Sequence, residues 1–257
     1  MNNRITLTIA LLLLAFTIRA QNTRFVNQGI ITYEKKVNIY ALIKDQLKRY
    51  PNDSWGTKAF EEYQKNNPQF KTLKSNLTFQ KDQTYFNPLP DESLGGGWFN
   101  FLSAKQNNII STNLTEGKST AQKSIYEATY LLKDTLRKIN WKITDEFREI
   151  AGYNCRRANA VIMDSIYVVA FYSEKIPVSG GPESFSGLPG MILGVALPYE
   201  HITWFATEIK DITVTEEQLK TPTKGKPIDK AQFTKVLKDA TKDWGNYAQD
   251  VLKSAEL

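Results

Sequence analysis

Cys155 and His201 are the residues best suited to act as a nucleophile or a soft metal ligand, and each is the only one of its type in the sequence. A thiol and an imidazole can activate one another if they come within hydrogen-bond reach and a third group orients the ring. Joined by Met191 or Met163, the same two residues would give the thiolate, imidazole and thioether set that suits Cu(I). Against both readings stands the ordinary fate of such residues, since a lone cysteine behaves as a small buried hydrophobe and a methionine on a strand fills core. A His-Glu-x-x-His zinc motif is impossible with one histidine. No Gly-x-Ser-x-Gly occurs, and around Ser186 the first glycine position holds Ser184. The carboxylates Asp145-Glu146 and Glu216-Glu217 are chain neighbours; on a strand neighbours face opposite sides and cannot flank one bond. No catalytic constellation is legible, so we expect a non-enzymatic protein with no cofactor, the alternative being a copper-binding or thiol-dependent one.

Residues 179–190 are unlike ordinary scaffold, holding four of the fourteen glycines and two of the ten prolines. Gly187 and Gly190 are free to take positive φ, while Pro189 fixes its own φ and drives Leu188 toward an extended shape. The backbone is therefore preset, and it leads straight into the apolar run from Met191 to Ala196. Two readings stay open: a tight corner that needs close backbone approach, or the rim of a ligand or partner site beside an apolar wall. A phosphate cradle fits poorly, because no Lys-Ser or Lys-Thr follows Gly190 and the next element reads as a strand. Gly95, Gly96 and Gly97 precede Trp98 and Phe99, giving either a lid of large apolar side chains or a long connection whose aromatics tuck into the core. The candidate contact surface is thus Gly187, Leu188, Pro189, Gly190, Met191 and Ile192 with Trp98 and Phe99.

These residues need a frame. Stretches 28–39, 73–86, 108–114, 124–134, 141–150, 155–163, 166–173, 191–197 and 201–214 favour strands by β-branched and aromatic content and by the turn residues between them. The clearest hairpin runs through Asp164-Ser165 into residues 166–172, whose apolar character on both faces predicts cover on both. Helical spacing takes over at Ile39, Leu42, Ile43 and Leu47, stops at Pro51, and resumes after Asp53 with Ala59, Phe60 and Tyr63. After Pro227, Asp229 and Gln232 have the spacing of a capping box, and Phe233, Val236, Leu237, Ala240, Trp244, Tyr247, Val251 and Leu252 continue one apolar stripe. We expect a mainly β fold, a curved antiparallel sheet or incomplete barrel over 21–226. It carries a helical pair inserted at about 40–66 and one long amphipathic helix over 227–257, packed on the same domain. The linker 221–227 reads as flexible.

With 41% hydrophobic and 23% charged residues the 257-residue chain is too rich in core formers to be disordered. Its net charge of +6 is spread along the sequence, so no nucleic-acid footprint is expected. Arg4 precedes an apolar run over 5–18 that ends at Arg19-Ala20, which reads as a cleaved secretory signal peptide over 1–20. No cysteine follows it, so a lipoprotein is not expected, nor is any later transmembrane segment. The chain should work in the periplasm or outside the cell, where an unpaired Cys155 is best kept buried.

Gly187-Leu188-Pro189-Gly190-Met191-Ile192 resembles the signature of the GLPGLI family, exported proteins of Bacteroidota. Gly152-Tyr153-Asn154-Cys155-Arg156-Arg157-Ala158 is similar to that family's upstream Gly-Tyr-x-Cys-x-Lys-Ala segment, with Trp141-Lys142-Ile143 ahead of it and Ile176-Pro177 and Gly181-Pro182 between. The resemblance spans roughly 28–215; Met191 stands in place of the usual Leu and Arg157 of the usual Lys. The contact surface read above leaves another envelope protein or an apolar ligand open as partner, and the resemblance implies an envelope protein of a Gram-negative bacterium that works alongside an outer-membrane TonB-dependent transporter. It supplies no catalytic residues.

Overall fold

The computed structural model describes residues 25–91, 99, 101–105 and 108–257. The leader over 1–20 and the segment of Gly95, Gly96, Gly97 and Trp98 lie outside the described residues. Strand β1 (Gln28–Asn38) alternates buried and more exposed positions along its length, as a strand with one face on a core must. It pairs with β2 (Phe70–Gln80) on one edge and with β11 (Ile202–Lys210) on the other. The first strand therefore ends up inside the sheet. From β2 the chain meanders outward through β3 (Gln83–Pro88), β4 (Asn108–Asn113), β5 (Lys118–Ile125) and β6 (Ala128–Thr135). It then crosses to the far edge and returns through β7 (Lys142–Ile150), β8 (Tyr153–Ile162), β9 (Ile166–Ser173) and β10 (Met191–Leu197) to β11. A short β12 (Lys226–Ile228) joins the outer edge of β6 in parallel, which makes one open twelve-stranded mixed sheet.

The crossing segment, residues 136–141, fixes how strongly this sheet must bend. In the strand order β6 and β7 are ten places apart, which in a flat sheet is ~48 Å. The chain from Thr135 to Lys142 reaches at most ~25 Å when fully extended. The sheet is therefore curved until its two ends come within reach of this strap. Its concave side is filled by the β9–β10 connection (residues 174–190) together with Trp204, Tyr33, Phe79, Phe86 and Phe185, all fully buried. Phe185 lies 6.0 Å from Trp204 between ring centroids, and the Tyr33 hydroxyl donates to the Ile192 carbonyl at 2.6 Å.

Helices α1 (Ile39–Arg49) and α2 (Ser54–Asn66) form the expected pair. The Asn38 side chain accepts from the Ala41 amide and Asp53 from the Gly56 amide, so each helix has its N-cap. The C-terminal segment differs from expectation: it is two helices, α3 (Lys230–Thr241) and α4 (Asn246–Glu256). Gly245 adopts φ +55 at the break, and Trp244 stacks on Tyr247 while meeting Tyr126 edge-on. Of the expected apolar stripe Phe233, Leu237 and Val251 are buried, whereas Val236, Ala240 and Trp244 are exposed. The Asp229–Gln232 capping box is present in both directions.

Three strand assignments also change. Stretch 73–86 is a hairpin turning at Lys81, whose φ is +52, and 124–134 breaks at Tyr126, whose φ is +54. Residues 118–123 pair as strand despite their polar composition, because β4 and β6 flank them. Lys226–Ile228, overlapping the end of the expected flexible linker, is the parallel strand that makes the sheet mixed rather than wholly antiparallel.

Candidate functional site

The glycine–proline loop is built for packing. Its Leu188 is 1% exposed and Met191 and Ile192 are fully enclosed. These three side chains, expected to line a contact surface, are core and present nothing to a ligand. Backbone hydrogen bonds explain the preset shape: the Met191 amide donates to Ile176 at 2.9 Å, Ile192 to Gly180 at 2.8 Å, and Gly190 to Leu188 at 2.8 Å. Gly190 has φ +147, and a Cβ there would lie 2.3 Å from the Ser173 carbonyl oxygen, so only glycine fits. Gly187 (φ +93) and Pro189 are the exposed members of the motif. Phe99 belongs elsewhere: it meets Tyr63 edge-on, stacks on Phe101, and lines a surface groove with Trp55 on α2. The structure does not bring it to the loop.

The soft-ligand candidates are split in two. Cys155 is fully buried on β8, its thiol donates to the Tyr153 carbonyl at 3.3 Å, and burial pushes its pKa up to about 12. Met191 lies at the same end of the strands, since it pairs with Ser173, whose hydroxyl donates to Asn154. His201 and Met163 lie at the opposite end, in the β10–β11 and β8–β9 turns, ~20 Å away along β10. His201 places Nε2 2.7 Å from Asp45 Oδ2 on α1, which ties the helical pair to the sheet. Burial pushes the Asp45 carboxyl up, but hydrogen bonds from Lys48 and His201 outweigh it and hold the carboxyl below its ordinary range. Neither a thiol–imidazole dyad nor a Cys155–His201–Met191 copper set is assembled, and no cluster of three or more His, Cys, Asp or Glu exists among the described residues.

What the fold does assemble is a cleft of about 1120 Å³ between β4–β6, the strap over 136–140, the start of α3 and the outer side of the loop, where Gly187, Ser186 and Ser179 form its rim. The Trp141 indole donates to the Ser186 carbonyl at 2.9 Å, pinning strap to loop. Ile110, Leu114, Ala121, Leu132, Ile139 and Phe233 give it apolar wall. Lys123, Arg137, Lys138 and Lys230 line it as well, against Asp134 and Glu256. Lys123 Nζ donates to the Ala255 carbonyl at 2.7 Å, and burial pushes its pKa down to about 8. Arg137 donates through Nη2 to the Glu256 carbonyl, while its buried Nη1 has no hydrogen-bond partner among the described residues, and burial lowers its pKa. By contrast, the voids beneath α4, next to Lys35 and Trp204 and next to Asp45, measure about 30 and 70 Å³, room for a few waters. Sequence reasoning missed the cleft residues. The one signal was phase: Lys123 falls in register with Ala121 and Ile125, on the inward face of β5.

A family described as "Protein of unknown function (Porph_ging)", which is associated with Bacteroidota, matches residues 160–194. This stretch takes in β9, the loop with Gly187 to Ile192 and the start of β10, but not residues 152–158. No curated protein matches the chain. Two crystal forms of PNGF-II share the fold with TM-score 0.51, at 15% and 16% identity over 81% and 82% of this chain. An uncharacterized conserved protein from Thermus thermophilus aligns with 80% of this chain and 91% of its own at 10% identity and TM-score 0.36. The chain spans about a third of PNGF-II, 32% and 33% in the two forms. The likeness to PNGF-II is one of fold, and the family match is one of a single segment.

Proposed function

We propose that this protein is a non-enzymatic binding module of the cell envelope whose ligand site is the cleft beside Gly187. The observation that carries the reading is the cleft itself. Ligand sites commonly occupy ~300–1,000 Å³ with mostly apolar walls and a few placed polar groups; this one, at about 1120 Å³, lies just above that range and has the same make-up. The ligand is a small molecule with a substantial apolar part. The loop serves as wall and support, its buried Leu188, Met191 and Ile192 holding Ser186 and Gly187 at the rim. Placement outside the cytoplasm rests on the apolar leader over 5–18 and on the Bacteroidota-associated match. Among the described residues no helix is long and apolar enough to cross a membrane. A transporter or other envelope protein as the recipient of the ligand rests on the family resemblance.

The test uses a neutral fluorescent dye, 1-N-phenylnaphthylamine, titrated into the purified protein. Saturable binding is expected, and Ala121→Trp, which fills the cleft from the inward face of β5, should abolish it while leaving the circular dichroism spectrum unchanged. Absence of binding to the folded wild type, or binding unaltered by Ala121→Trp, overturns the cleft as the site.

A further inference from the structure

We infer that the cleft selects a ligand whose apolar chain ends in an anionic group, a carboxylate or a phosphate, received by Arg137 and Lys230 with Lys123 behind them. This rests on the cleft being the binding site and adds what its polar end recognises.

The first support is charge balance. Four cations and two carboxylates line the cleft, and among the described residues none of the four cations is in a salt bridge. Both carboxylates act on the charge of Arg137, yet neither forms a salt bridge with it, and each accepts from a neutral donor: Glu256 from the Thr234 hydroxyl at 2.7 Å and Asp134 from the Thr135 amide at 2.7 Å. Lys123 is buried, and buried charges in folded proteins are normally paired, so the cationic excess around it, with Lys138 and Lys230 exposed at the cleft, is where an anion gains most.

Convergence is the second support. Lys123, Arg137 and Lys230 all line the cleft, and Arg137 and Lys230 oppose the protonation of Lys123 while Glu183 and Glu256 favour it. Three cations drawn from β5, the strap and α3 thus converge on one cavity, an arrangement that an anion between them stabilises. Position is the third. Ile110, Leu114, Leu132 and Ile139 line the same cavity, so one molecule can set an apolar chain against these side chains and its head against the cations. Arg137 is suited to this role because a guanidinium offers a planar fork of donors to a carboxylate or phosphate, and its Nη1 has no acceptor among the described residues.

Displacement of 1-N-phenylnaphthylamine by four compounds sharing a dodecyl chain tests this: dodecanoate, dodecyl phosphate, dodecanol and dodecylammonium. Both anions should displace the dye at concentrations about tenfold below the alcohol, the effect of one charge-assisted contact, and the ammonium should be weakest. Arg137→Gln and Lys230→Gln should each bring the anions toward the alcohol's value and leave the alcohol unchanged. Because Arg137 also holds α4, Arg137→Lys serves as its charge-preserving control, and Lys230→Gln leaves that contact intact. If all four compounds displace equally, the inference falls and the cleft stands as an unselective apolar site. An anion preference that survives both Gln variants overturns the assignment to these residues. If the dye itself never binds, the reading of the cleft falls with it.

Discussion

Gly190→Ala tests whether the glycine–proline loop is a packing device. Its cost can be worked from two sources. A side chain at φ +147 is strained by ~1–3 kcal/mol. The new methyl would also lie 2.3 Å from the Ser173 oxygen, 2.8 Å from its carbonyl carbon and 3.0 Å from Glu174 Cα, so overpacking adds a further ~1–3 kcal/mol. Those atoms are backbone at the end of the β9–β10 ladder and cannot swing aside. Together the two sources give ~2–6 kcal/mol, and in a protein of this size each kcal/mol lowers the melting temperature by ~2–4 °C. Gly117→Ala is the control: at φ +65 it has no atom within 4 Å, and only the left-handed strain of ~1–2 kcal/mol remains. Thermal unfolding followed by circular dichroism should therefore show Gly190→Ala melting well below Gly117→Ala. Equal melting points, or a Gly190→Ala variant indistinguishable from wild type, would refute the packing account and make the loop a candidate ligand surface again.

Cys155 should resist thiol reagents in the native protein up to pH 9 and react only on unfolding, because burial holds its thiol protonated to about pH 12; Ellman's reagent with and without denaturant measures this. Lys35, buried over the Trp204 ring with Nζ donating to the Lys105 carbonyl, has its pKa lowered to about 8 by burial. Between about pH 8 and its ordinary 10.5 the unfolded state binds more protons than the folded one, so stability should rise with pH across that window. Lys35→Met should reduce that rise in melting scans. The Asp45–His201 pair is partly exposed, so His201→Ala should cost less than ~1 kcal/mol in denaturant titrations. Because the Asp45 carboxyl is held below its ordinary 3.8, what the pair contributes is present at neutral pH and lost as pH falls below that value. A large loss of stability at pH 7 would show the pair to be worth more than its exposure allows.

Features fixed by neighbours in the chain were legible from residue types. The Asp229–Gln232 box and the Asp164-Ser165 turn are both legible from residue types alone. What failed was set by distant partners. Lys226-Pro227-Ile228 has no strand signal of its own and pairs only because the outer edge of β6 is open to it. The stripe from Phe233 to Leu252 runs through Gly245 without losing phase, so periodicity cannot register the break. The candidate site fared worse for the same reason. The loop stood out by composition, yet composition does not distinguish a preset backbone facing inward from one facing a ligand. Arg137 and Lys230 look like solvated surface charges until the strap and α3 bring them to Lys123.

The place of β1 in the sheet has a consequence for how the molecule is made. One side of that strand can zip to β2 almost at once, but the other waits for β11, across contacts such as that of Thr207 with Thr32, 175 residues apart. Until the last quarter of the chain arrives, the earliest strand carries an open ladder of donors and acceptors, inviting any other nascent strand to pair with it. Such a topology folds slowly. A chain cut short before β11 is expected to self-associate through this vacant edge, whereas one cut after β11 has it closed.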